Sequence, residues 1–120
     1  MNTSTTILSE AYIEKIDNLL IHKKIYRDQS ITLDRLARRL RTNRSYLSAT
    51  INYCYRKNFS ALLNEHRINE ACELLKDKAL CRKYTMEGIG LEVGFANRMS
   101  FYRAFKQLKG VSVGEWANLS

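Results

Sequence analysis

One pattern in this chain occurs twice. Thr32, Leu33, Leu36, Ala37 and Leu40 are matched 53 residues later by Thr85, Met86, Ile89, Gly90 and Val93. After a short polar stretch the offset becomes 54, and Leu47 and Ile51 correspond to Phe101 and Phe105. Each copy begins with a threonine able to cap a helix, continues with apolar residues three and four apart, and carries a small residue, Ala37 or Gly90, where two backbones must approach closely. The duplicated unit is therefore a helix, a short turn and a second helix.

The rest of the chain also reads as helix. It contains no proline and five glycines, so little interrupts helical structure. Apolar residues recur at helical spacing almost throughout, and strand-like alternation is absent. Ser9 is placed to cap a first helix holding Ala11, Tyr12, Ile16, Leu19 and Leu20, with the polar "MNTSTT" ahead of it frayed. "YRDQS" breaks that helix. Thr42 or Asn43 caps the helix of Tyr46, Leu47 and Ile51. A longer helix runs from Phe59 to about Leu75, and "KDKALCRKY" reads as a connector. Gly94 falls where a tight turn calls for positive φ. The expected architecture is all-α, with about seven helices. Residues 1–30 form a tail and leading helix, and residues 31–120 a double helix-turn-helix domain. Within that domain the first motif is 31–55, the linker helix 59–76 and the second motif 85–108.

Charge narrows the partner class. Twenty Lys and Arg against twelve Asp and Glu give a formal net charge of +8 over 120 residues, an excess that points to a polyanion. No apolar run approaches the roughly 20 residues of a membrane span, and no signal peptide is visible. Cys54, Cys72 and Cys81 lack paired spacing and read as small buried hydrophobes of a reduced protein. His22 and His66 belong to no cluster with zinc-ligand spacing, so no metal or cofactor is assigned. Paired carboxylates, a Cys–His adjacency and a glycine-rich phosphate loop are all missing, which leaves an enzyme without support.

Helix-turn-helix units place their second helix in the DNA major groove while the first braces it. In "GFANRMSFYRAFK", a helix starting near Asn97 puts Phe101 and Phe105 on one face as anchors. Arg98, Tyr102 and Lys106 fall about a turn apart on the other side, flanked by Met99 and Arg103. Arginine matches the guanine edge, and lysine meets phosphate. In the first copy, "RRLRTNRS" sets Arg38, Arg39 and Arg41 as phosphate grips, and Arg44 is the arginine nearest a base. Asn52, Asn97 and Lys106 complete the phosphate set. Arg67, in the middle of the long helix, reads as the ion-pair partner of Glu70 or Glu115.

These residues resemble the C-terminal DNA-binding domain of the AraC/XylS family of transcription regulators. The resemblance runs from Ile31 to about Trp116. "LDRLARRL", "NRSYLSATIN", "FSALLNEHRINEACELL", "TMEGIGLEVGFANRMSFYRAFK" and "GVSVGEW" carry it, most specifically through Ile89, Gly90, Gly94, Phe95, Phe101, Arg103, Phe105 and Lys106. It implies two homeodomain-like three-helix units joined by a linker helix, with reading helices that enter adjacent major grooves of double-stranded DNA. The base-facing positions it implies are Ser45, Ser48 and Ala49 in the first motif and Arg98, Met99, Tyr102 and Arg103 in the second. Gly90 stands where the family usually has alanine, Met99 where a polar residue is common and Arg56 at a frequent glycine position. Val113 replaces the usual proline, weakening the start of the last helix, and Ala117 the usual arginine. The resemblance further implies a bacterial cytoplasmic protein at the nucleoid, either a fragment lacking its ligand-binding or signalling domain or a small stand-alone regulator. It would be a monomer or weak dimer, with RNA polymerase as an additional partner. Two alternatives stand beside sequence-specific regulation. One is nonspecific architectural binding through phosphate alone. The other is a protein-interaction module using Tyr12, Ile16, Leu19 and Leu20 as its face.

Overall fold

A computed structural model describes the backbone of residues 3–119 and the side chains of residues 10–119. Among the described residues there are eight α-helices and no strand. They are α1 (Thr3–Asp17), α2 (Leu33–Arg39), α3 (Arg44–Tyr55), α4 (Phe59–Lys76), α5 (Lys78–Lys83), α6 (Met86–Glu92), α7 (Arg98–Lys109) and α8 (Val113–Leu119). The chain packs as two compact units, Met1–Ile25 with Ser30–Leu62 and Tyr26–Gln29 with Leu63–Ser120.

Polar side chains set most helix starts. Thr32 accepts the N–H of Arg35 at 3.1 Å, and Thr85 accepts that of Gly88 at 2.9 Å, so the duplicated caps are duplicated in structure. Asn43, Asn58 and Asn97 cap α3, α4 and α7 in the same way. Each cap satisfies one of the backbone donors that the first turn leaves without a partner. Two expectations about helix ends are corrected. Helix α1 runs through Ser9 from Thr3, because neither glycine nor proline halts it there, so Ser9 is not its cap and "TSTT" is helical. The "KDKALCRKY" connector contains α5, capped by Asp77, which accepts from the N–H groups of Ala79 and Leu80. At the far end Val113 does not prevent α8. Ser112 caps it, accepting from the Glu115 N–H and donating to the Glu115 carboxylate, while Val113 itself is buried.

In the first unit Ile16, Leu20, Leu36, Leu47 and Ile51 are almost wholly buried. The leading helix belongs to this core. The Tyr12 ring meets Tyr46 edge-on at 5.5 Å, and the Tyr55 hydroxyl donates to Asp17 at 2.5 Å. Burial, and then that hydrogen bond, push the Tyr55 hydroxyl well above its ordinary range. The face of Tyr12, Ile16, Leu19 and Leu20 is thus used inside the unit, with Ile16 0% and Leu20 1% exposed, and is not available as a partner surface.

The second unit is built around Phe101 and Phe105, both 0% exposed, packed with Ile68, Ala71, Leu75, Ile89, Val93 and Phe95. Phe105 stands edge-on to Trp116 at 6.0 Å. Of the three cysteines, only Cys72 belongs to a core; Cys54 and Cys81 are exposed. Arg67 is buried, and its hydrogen bonds go to backbone carbonyls instead of to Glu70 or Glu115, while the nearby charge of Asp28 favours its charged form. Its Nε donates to the Tyr26 carbonyl at 2.6 Å, a terminal nitrogen donates to the Asp28 carbonyl at 3.3 Å, and the guanidinium lies 5.6 Å from the Phe95 ring centre. Burial lowers its pKa. Glu70 instead takes Arg27 in a bidentate pair, with Nε to Oε1 at 2.8 Å and a terminal nitrogen on Oε2. The Tyr26 ring stacks on His66, and burial, followed by the charge of Glu70, pushes its hydroxyl up to about 12. Residues 26–29 are therefore held on α4 by charge-assisted bonds to backbone and by one fork-shaped ion pair.

Gly90 shows why the small residue of the repeat is needed. A Cβ there would lie 2.5 Å from Cγ of Phe101, closer than side-chain carbons approach. The first copy has alanine at this position and leucine, not phenylalanine, at the anchor, so the methyl and the ring have been exchanged between the copies. Gly90→Ala should cost about 1–3 kcal/mol through overpacking. Combined with Phe101→Leu it should cost less than the sum of the two single changes, by at least about 0.5 kcal/mol. Denaturant melts of the four proteins, followed by circular dichroism, measure that coupling, and additive losses would refute the exchange.

Candidate nucleic-acid interface

The turn of each motif is made differently. Gly94 has φ +116, and a Cβ on it would strike the Tyr26 carbonyl oxygen and lie 2.7 Å from Nε of Arg67. Its counterpart 53 residues earlier is Arg41, at φ 58. Arg56, which ends α3, is also left-handed, at φ 60. Two arginines thus occupy conformations that favour glycine, each at a cost of about 1–2 kcal/mol. Both are exposed.

The second helices of the two motifs, α3 and α7, are built to one plan. Leu47, Thr50 and Ile51 are buried on α3, and Phe101, Ala104 and Phe105 on α7. At about 100° per residue, Met99, Arg103 and Lys106 lie most nearly opposite the buried face of α7. They stand at i, i+4 and i+7 and form one stripe. Arg98 and Tyr102 lie toward the edges of that face, a shift from the arrangement expected from sequence, in which they were central and Met99 and Arg103 flanking. Tyr102 leans on Phe101, with ring centres 5.7 Å apart, and is 38% exposed. The equivalent stripe on α3 is Ser45, Ala49 and Asn52, all exposed, with Ser48 half-buried beside it.

Neither helix contains an acidic residue, although the chain has twelve. Arg38, Arg39, Arg41, Arg98, Arg103 and Lys106 are exposed, and among the described residues none of them makes an ion pair. Arg103 in particular is not held by Glu92. Arg44 lies 3.7 Å from Asp34, with both side chains more than half exposed, a pairing weak enough in water to be exchanged for another anion. Asn97 accepts the Ser100 N–H with its side-chain oxygen, which leaves its NH2 group to donate outward. These faces can attract a polyanion and present forked donors and one apolar side chain to it. Among the described residues no cluster could hold a metal ion, and no helix is long and apolar enough to cross a membrane.

Sequence reasoning passed over Tyr53, which projects from α3 at 75% exposure. Its spacing of four from Ala49 was the available signal. It also missed that Arg41 occupies the left-handed position of its turn, which only the 53-residue correspondence with Gly94 could have indicated.

A family model described as a helix-turn-helix domain matches residues 36–118. An uncharacterized HTH-type transcriptional regulator, YtdP of Bacillus subtilis (strain 168), is 27% identical over 117 residues, which is 97% of this chain and 15% of that protein. The chain therefore spans a small part of that regulator's length. The C-terminal domain of AraT, a response regulator from Geobacillus stearothermophilus, superposes with a TM-score of 0.72 at 26% identity, covering 93% of this chain and 82% of that one. A protein of unknown function from Listeria innocua gives 0.75 at 22% identity, covering 89% and 95%. The C-terminal domain of the two-component response regulator yesN from Fusobacterium nucleatum gives 0.64 at 23%, covering 96% and 99%. The last two share the fold.

The left-handed arginine makes its own prediction. Arg41→Gly should raise the free energy of unfolding by about 0.5–1 kcal/mol, the relieved strain less the added entropy of the unfolded chain. Urea unfolding measures it. A loss of stability would mean that the Arg41 side chain contributes more to the fold than its backbone costs.

Proposed function

The chain belongs to the AraC-type helix-turn-helix family of DNA-binding transcription regulators, and we propose that it binds double-stranded DNA sequence-specifically, with α3 and α7 each reading a major groove. The observation that carries this reading is the outward face of α7. It has a rigid aromatic seat below, no acidic residue, and Arg103 and Lys106 projecting opposite that seat without ion-pair partners among the described residues.

The roles follow from chemistry. Arg103 lies between Phe101 and Phe105 in sequence, so its backbone is fixed from both sides and its fork loses little further freedom on matching the O6 and N7 of a guanine. Arg98 and Tyr102 reach bases at the edges of the same helix. Lys106, nearer the end of α7, meets phosphate. In the first motif Ser45, Ser48 and Ala49 offer small contacts, and Arg44 is released from Asp34 to the DNA. Arg38, Arg39, Arg41, Asn52 and Asn97 hold the backbone. This division makes α7 the main source of base discrimination and the first motif mainly a grip. Nonspecific architectural binding is the competing reading, and it would use the same cations for phosphate alone.

Arg103→Ala should cost about 1–3 kcal/mol on a selected site and relax preference at one base pair. Lys106→Ala should weaken binding to every sequence alike and make the salt dependence shallower by about one unit, from a wild-type slope of roughly −5 to −7 if about 6–8 phosphates are neutralised. Fluorescence anisotropy on the site and its single-base variants over a salt series measures both. Equal losses on all variants for Arg103→Ala would favour the architectural reading.

A further inference from the structure

We infer that Met99 reads the methyl group of a thymine, and that this thymine lies within one or two base pairs of the guanine read by Arg103. The inference rests on the reading of α7 as a major-groove helix and adds the chemical identity of one contact. Met99 is 64% exposed and lies in the first turn of α7, the part of a recognition helix that comes closest to base edges. It is the N-terminal member of the stripe directly opposite Phe101, so the buried seat that orients Arg103 orients Met99 as well.

A side chain there has limited choices. It carries no hydrogen-bond donor, and its thioether is a weak acceptor, so it cannot match the polar edges of guanine, cytosine or adenine. Thymine is the one standard base that presents a methyl in the major groove. An unbranched, polarizable chain adapts its rotamer to such a group, and the contact removes apolar surface on both sides from water. The cations around it keep it at the DNA: Arg98 and Arg103 flank it, and no acidic residue stands on the helix. Met99 and Arg103 are four residues apart, about 6 Å along the helix axis, against about 3.4 Å per base step. That ratio sets the spacing of one or two base pairs.

The test starts from a duplex selected from a random pool by the wild-type protein. In that duplex each thymine is replaced singly by deoxyuridine, which pairs identically and lacks the methyl. Binding is titrated for the wild type, Met99→Ala and Arg103→Ala, with folding checked by circular dichroism. One uracil duplex should bind the wild type about fourfold more weakly, the loss expected for one unburied methyl. Met99→Ala should bind that duplex and its thymine parent alike. The sensitive thymine should lie within two base pairs of the guanine whose replacement Arg103→Ala no longer registers. If every uracil duplex binds as tightly as the parent, or if Met99→Ala keeps the full uracil penalty, Met99 reads no methyl, while α7 remains a base reader through Arg103. If the pool yields no preferred sequence, the sequence-specific function fails and this inference fails with it.

Discussion

The seat of the second motif is set by the close approach of the Phe101 ring to Gly90. The ring fills the space a methyl would need, which lets it reach the centre of a core that also holds Ile89, Val93, Phe95 and Phe105. The outward face of α7 depends on this seat. With Phe101 and Phe105 immobile, the rotation of the helix about its axis is set, and so is the stripe of Met99, Arg103 and Lys106. A reading helix must hold its donors to a small tolerance, and here a large buried ring provides that. The seat in turn rests on α4, which contributes Ile68, Ala71, Cys72 and Leu75.

Duplication has kept the inward half of this device and released the outward half. Caps, small residue and anchor positions correspond between the motifs, because each is needed to close two helices on one another. The anchors differ as a matched set, alanine with leucine and glycine with phenylalanine. The outward stripes differ freely, with Ser45, Ala49 and Asn52 on one helix and Met99, Arg103 and Lys106 on the other. Packing couples the inward residues to one another, whereas the outward ones answer only to a partner. The turns diverge in a third way. The second motif uses Gly94, which also makes room for the Tyr26 carbonyl. The first uses Arg41, which keeps a cation at a position where glycine would be less strained.

Arg67 illustrates a buried charge used as a backbone clamp. Its guanidinium is removed from water, and burial lowers its pKa. Its stabilisation comes from the Tyr26 and Asp28 carbonyls, the Phe95 ring and the nearby charge of Asp28. A planar fork reaches two carbonyls from separate nitrogens in a fixed geometry, which the compact ammonium of a lysine does not offer. The segment it holds, residues 26–29, leaves the first unit in sequence and joins the second in space. Arg27 then completes the attachment through Glu70.

Much of this was legible in the residues. The caps at Thr32 and Thr85, a cap for α3 at Thr42 or Asn43, the buried sets of α3 and α7 and the positive φ of Gly94 all follow from local rules of spacing and chemistry, which need no knowledge of neighbours. The duplication strengthened them, since two independent copies of one pattern are seldom accidental. Other features were invisible for a common reason: they depend on which distant residue arrives beside a given one. Arg67 was expected to find a carboxylate because its sequence neighbourhood offered Glu70, yet the fold gave Glu70 to Arg27 and brought carbonyls to Arg67. Tyr12, Ile16, Leu19 and Leu20 had the spacing of a partner-binding face and were covered by their own unit. Cys54 and Cys81 were read as buried on residue type alone. The sequence by itself determined an all-helical, duplicated helix-turn-helix chain with a basic character, because periodicity and capping are written in nearest neighbours along a helix. Only the tertiary structure decided which side of α7 is centred on its outward stripe, which cations are left without partners, and which glycine is indispensable for space as well as for φ. Those are consequences of packing, and packing is set by contacts between residues that the chain itself keeps far apart.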